Sequence, residues 1–142
     1  MASIISNRFK KNVLYDALNG KTIHAVLLTS SHTPDADQNT WGDISSNEVS
    51  DSLSAYTTGG SAVTGAAISQ DDTLDRGKFT CDAPEWDPAT IPNARYIVFL
   101  DWNAGTPSAS EIIAQHDFGT TQAVVNGPLS WTPNSSGVCY TS

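Results

Sequence analysis

Arg95-Tyr96-Ile97-Val98-Phe99-Leu100-Asp101-Trp102 is the stretch that decides the fold class. It is a short run of aromatic, β-branched and other apolar residues, too short for a buried helix, and it reads as the strongest strand in the chain. Asn103-Ala104-Gly105-Thr106-Pro107 follows and is a turn by composition. Glu111-Ile112-Ile113-Ala114-Gln115-His116-Asp117-Phe118 is then expected to pair back as a hairpin. Upstream, Thr22-Ile23-His24-Ala25-Val26-Leu27-Leu28-Thr29 is nearly continuous in apolar residues, the pattern of a central strand buried on both faces.

Shorter strand signals surround these two. Ala62 to Ile68 is one. Gly77-Lys78-Phe79-Thr80-Cys81 alternates, with Phe79 and Cys81 on one face. Thr121 to Val125, Leu129 to Trp131 and Gly137 to Tyr140 complete the set. Asp82 to Asn93 carries Pro84, Pro88 and Pro92 and is not expected to lie within a sheet throughout, apart from a short edge piece at Glu85-Trp86. Ser30 to Asn47 and Asp51 to Ser61 read as long loops, with Trp41 and Tyr56 placed to anchor them.

Residues 6–20 carry the one convincing helix. Ser6 or Asn7 can cap it, Phe9, Val13, Leu14 and Leu18 recur at helical spacing, and Asn19-Gly20 ends it. On that register Arg8, Lys10, Lys11 and Asp16 face outward. A helix of about three turns must dock on something to persist. About seven or eight short strands with long loops and one helix predict an all-β chain. The expected architecture is an antiparallel β-sandwich or jelly-roll-like barrel with one short N-terminal helix. It forms a single domain over 1–142, with the arm and helix at 1–20 and the sandwich at 21–142.

Composition narrows the function. The chain has 142 residues, of which 39% are hydrophobic, and four Trp, four Tyr and four Phe supply material for a core. Its 15 acidic and 7 basic residues leave a formal net charge of −8. Such a chain cannot easily build the basic face that nucleic acid requires, and it is repelled by anionic membranes. No stretch approaches the length of a membrane span, and the opening residues lack a signal-peptide pattern, so folding in a cytoplasm is expected. The basic residues Arg8, Lys10 and Lys11 crowd near the N-terminus. A solvated helix face is the simple explanation of that cluster. The alternative is a partner contact, in which the apolar-then-basic segment from Met1 to Lys11 clamps onto an acidic or hydrophobic groove.

No reaction is legible in the residues. His24, His32 and His116 are scattered, and His24 lies in an expected buried strand, where a hydrogen-bonded core histidine is the expectation. Asp35, Asp37 and Asn39 resemble the opening of a calcium loop. Thr40 stands where such a loop needs Gly, and Ser46 where it needs Glu, so turn chemistry is expected instead. Asp71, Asp72 and Asp75 precede Arg76 without the partner geometry a glycosidase needs. Cys81 and Cys139 form no metal-ligand spacing. They are expected as buried thiols, with a disulfide as the alternative. No catalytic residue, cofactor or metal is assigned.

The order of segments adds a resemblance. Leu18-Asn19-Gly20 leads into Ile23 to Asp35. Trp41-Gly42-Asp43-Ile44-Ser45-Ser46-Asn47-Glu48-Val49-Ser50 follows, then Tyr56-Thr57-Thr58-Gly59-Gly60. Ala94-Arg95-Tyr96-Ile97-Val98 comes after Trp86, and Phe118-Gly119 comes last. In these segments, over roughly residues 7 to 132, the chain resembles a family of small virion proteins of tailed bacteriophages. His32 departs from the aromatic frequent there, and the C-terminus is shorter and contains Cys139. The resemblance implies a non-enzymatic structural protein of the virion, assembled in the host bacterial cytoplasm. Within that class, a compact acidic domain without coiled-coil heptads or a fibre-like repeat suits a capsid decoration or cement protein that binds the major capsid protein or other virion proteins as a homo-oligomer, for which a trimer is one form. A tail, baseplate or adaptor subunit is the alternative within that class. A receptor- or carbohydrate-binding module is a separate one, suggested by Trp41, Tyr56 and Trp86.

Overall fold

In the computed structural model, which describes residues 3–50 and 55–142, the expected hairpin forms and runs far beyond its expected ends. In chain order the elements are helix α1 (Asn7–Leu18), strand β1 (Ile23–Leu28), short helix α2 (Trp41–Ile44), β2 (Ser61–Ala62), β3 (Ala67–Asp71), β4 (Arg76–Thr80), β5 (Glu85–Asp101), β6 (Glu111–Ser130) and β7 (Cys139–Thr141). Short 3₁₀ turns lie at Ser45–Asn47 and Pro107–Ala109. The chain is mostly β, with two antiparallel sheets and one helix of length. The strand order of each sheet runs from one edge strand to another, so neither closes into a barrel. The loop expected over Asp51 to Ser61 lies partly outside the described residues, as does the start of the Met1 to Lys11 arm.

The chain divides into two compact units, each assembled from separated segments: 22–63 with 83–132, and 1–21 with 64–82 and 133–142. The larger contains the sheet β2-β1-β5-β6. Ile23 to Leu28 pair residue by residue with Asp101 to Tyr96. Ala25 to Leu28 and Ile97 to Leu100 are fully buried without alternation, as strands covered on both faces must be. On one face Val26, Leu28, Val98 and Leu100 pack with Trp41 and Ile44 from α2. Trp41 therefore anchors its loop by entering the core. Asp43 holds α2 in place, its Oδ2 accepting from the Asn39 and Thr40 N–H groups at 3.0 and 2.9 Å.

β2 covers β1 only at His24 and Ala25. Loop residues satisfy the rest of that edge: the Tyr56 hydroxyl accepts from Leu27 N–H at 3.1 Å, and Val49 N–H donates to the Leu27 carbonyl at 3.1 Å.

β5 corrects the expectation for Asp82 to Asn93. The strand spans 17 residues and includes Pro88 and Pro92. Its pairing with β6 slips at Trp86/Ala89, Ala89/Ile91, Ile91/Ala94 and Ala94/Tyr96. Such irregularities accommodate residues that cannot donate to a regular ladder. β6, 20 residues long, likewise joins segments expected as separate strands. Its largest irregularity lies between Asp117, opposite Tyr96, and Gln122, opposite Ala94. Gly119 takes φ 86° there. The Asp117 carboxylate accepts from Gly119 N–H at 2.7 Å and from Arg95 Nε and Nη2 at 2.6 and 3.0 Å.

The smaller unit contains the sheet β3-β4-β7, with α1 packed across it. The single strand expected over Ala62 to Ile68 is split: Ala62 belongs to β2, Ala67 and Ile68 to β3, and Gly65 turns between them at φ 64°. Arg76 is buried and satisfied. It donates to Asp71 Oδ2 at 3.1 Å and to Ser136 Oγ and the Ser135 carbonyl at 3.3 Å, and its guanidinium lies 4.6 Å from the Tyr140 ring centre.

Candidate interaction surface

The surface is built on α1. Ser6 Oγ accepts from Phe9 N–H at 3.3 Å and caps the helix; Gly20, at φ 73°, follows its end. Close approach to β4 fixes the rotation of the helix. Gly77 has no side chain, so the backbone of Lys10 and Lys11 lies against it. Thr141 Oγ1 donates to the Lys10 carbonyl at 2.8 Å, and Asn7 Nδ2 donates to the carboxylates of Asp72 and Asp75 at 3.1 and 3.0 Å.

This rotation corrects the expected helix face. Leu14 and Leu18 are buried, with Asn7, Lys10 and Lys11 half-buried on the same side. Phe9 and Val13 point the other way and are 61% and 45% exposed. In the arm ahead of the cap, Ile4 is 91% and Ile5 54% exposed. An apolar residue before an N-cap usually packs on the residue four places past the cap. Here that residue is Lys10, whose Nζ donates to the Asp75 carbonyl, so Ile5 lacks that partner.

Arg8, Lys10 and Lys11 do not form one strip. Arg8 is exposed, whereas Lys10 is directed to the Asp75 turn and Lys11 lies half-buried. The apolar ridge is hidden in the sequence because Lys10 and Lys11, charged residues that read as solvent-facing, occupy inward positions. Gly77, a glycine inside an alternating strand, was the available signal of a close backbone approach.

The residues weighed for chemistry serve the fold. His24 stacks on Trp102 with ring centres 4.3 Å apart and bonds the Gly59 carbonyl at 2.7 Å. His32 is buried, 2.7 Å from Gln115 Oε1, and His116 packs on Trp131. In the Asp35–Asn39 loop the Asp35 carboxylate accepts from Asp37 N–H at 2.9 Å, an Asx turn. Among the described residues no group of three His, Cys, Asp or Glu could hold a metal. Cys81 and Cys139 are free. Burial, with the Asp82 charge second, pushes the Cys81 thiol up to about 11, and burial raises Cys139 as well. Both are therefore poor nucleophiles.

Trp41, Tyr56 and Trp86 are all buried, and Trp86 Nε1 donates to Ser61 Oγ at 3.0 Å. None offers a ring to a sugar. No described helix is long and apolar enough to cross a membrane. No protein-family model, curated protein or solved structure matches the chain.

Proposed function

We propose that this chain is a non-enzymatic structural subunit of a bacteriophage virion, a capsid decoration or cement protein that joins the head shell as a homo-oligomer. The observation that carries this reading is the exposure of four apolar side chains, Ile4, Ile5, Phe9 and Val13, within the first thirteen residues of an acidic chain. Exposed apolar surface of this kind marks a contact with another protein. The segment order from Leu18 to Gly119 supplies the virion context by resemblance. The partners are then the major capsid protein or other virion proteins, without nucleic acid or membrane. Assembly takes place in the host bacterial cytoplasm. The expectation of a β-sandwich belongs to the same proposal, supported by the two antiparallel sheets. Arg8, Lys10 and Lys11 are the cations assigned to partner contact, with Lys10 also donating to the Asp75 carbonyl.

A tail, baseplate or adaptor subunit is the alternative address. Mass spectrometry of separated heads and tails from purified particles tests both. Recovery with heads is expected; recovery with tails moves the protein to the alternative, and absence from both fractions rejects the virion reading.

A further inference from the structure

The outer face of α1 is self-complementary in charge. Phe9 and Val13 stand four residues apart, which places them on one ridge, and Ala17 continues it as a small exposed residue. Asp16 is exposed beside this ridge, Arg8 is exposed further round the same flank of the helix, and neither has an ion-pair partner among the described residues. They lie at equal distances on either side of Asn12, about 6 Å along the axis at 1.5 Å per residue.

We propose that this face joins two copies of the chain in an antiparallel α1–α1 contact across a twofold axis near Asn12. The ridges of Phe9 and Val13 pack against each other, and Arg8 of each copy meets Asp16 of the other. A parallel arrangement would set Arg8 against Arg8 and Asp16 against Asp16, so charge selects the antiparallel one. Exposed ion pairs contribute little affinity. Burial of the apolar ridge supplies the association, and the charges set direction and register. The net charge of −8 on each copy opposes association, but physiological salt screens that repulsion beyond about 8 Å. Arg8 thereby serves the contact with a second copy, while Ile4, Ile5, Lys10 and Lys11 remain for other partners.

The inference rests on the homo-oligomer part of the proposed function and gives it a surface and a symmetry. Locating the protein in heads or tails does not affect it, so the two readings fail separately.

Sedimentation equilibrium of the purified full chain, from about 1 µM to about 1 mM, spans weak to moderate affinities and tests it. A concentration-dependent dimer is expected, lost in Phe9→Glu. R8E and D16R should each weaken the dimer about tenfold or more, and the R8E/D16R double variant should restore it to within about threefold. The exchange puts an anion in the first turn and a cation nearer the C-terminus, which favours the helix itself, so loss of association cannot be ascribed to unfolding. A monomer throughout the range, a trimer, an unaltered dimer in Phe9→Glu, or single variants that the double variant does not rescue would each overturn the proposal.

Discussion

Gly77 on β4 lies against the backbone of Lys10 in α1: a methyl group on its Cα would come within 2.6 Å of the Lys10 carbonyl and the Lys11 nitrogen. Backbone on both sides leaves no flexible side chain to yield. Gly77→Ala should therefore push α1 off the sheet and destabilise the protein by about 1 to 3 kcal/mol, the usual cost of overpacking. Gly105→Ala is the control, since a methyl group there meets nothing closer than Asn103 Oδ1 at 3.6 Å. Urea midpoints compare the two, and equal midpoints would remove the explanation for the rotation of α1.

That contact also shows where reading along the chain stops. The Arg95–Trp102 strand, its turn and its hairpin partner were legible because apolar content and turn residues are local signals. So was the extent of α1, through Ser6 and Asn19-Gly20. The face that α1 buries was not. Leu14 and Leu18 fit either register, and the choice depends on Gly77, remote in sequence and adjacent in space. The long β5–β6 ribbon was hidden for a similar reason: prolines argue against a regular strand, while the slips that admit them exist only once two strands pair.

Tyr56 is tied to the edge of β1. Its hydroxyl donates to Glu48 Oε1 at 2.7 Å and accepts from Leu27 N–H at 3.1 Å, within the buried interior. Tyr56→Phe keeps the ring and leaves the Leu27 donor without that acceptor. The expected loss is about 1 to 3 kcal/mol, the cost of an unsatisfied buried polar group. Amide exchange at Leu27 should quicken beyond what the global change explains. Unchanged protection there would show that the hydroxyl does not complete the edge.

Acid should weaken the fold through four carboxylates, of which Asp72 is lowered by side-chain hydrogen bonds from Gln70 and then Asn7. Backbone N–H groups of Thr40 and Asn39 lower Asp43, the Leu74 N–H and then Arg76 lower Asp71, and Arg95 followed by the Gly119 N–H lowers Asp117. Each binds its proton less readily in the folded chain than in the unfolded one, where Asp titrates near about 3.9. The unfolded state then holds more protons in the window below that value, so stability rises with pH through it. The contribution is fully present above the unfolded value and is lost as pH falls through the folded ones. Urea midpoints should be level from about pH 7 to about pH 5 and fall below about pH 4. The D43N/D71N/D117N variant should fall less steeply, and an identical slope would exclude those three groups as the cause.

Cys81 and Cys139 should behave as quiet, unpaired thiols. They lie on neighbouring strands of one sheet, since Cys139 on β7 pairs with Phe79 on β4 and Cys81 follows just past the end of β4. The diagonal position that results separates Cα atoms by about 7 to 8 Å, beyond the reach of an unstrained disulfide. With its thiol pushed up to about 11, Cys81 holds little thiolate at pH 8. Its native reaction with a disulfide reagent should be on the order of a hundredfold slower than that of an exposed thiol near about 8.5. In urea, without reductant, two thiols per chain should react rapidly. Cys139→Ser isolates Cys81, so its native rate can be read alone. Fewer than two reactive thiols in the unfolded, unreduced chain would establish a disulfide. A native Cys81 rate equal to the unfolded one would show that burial does not hold the thiol protonated.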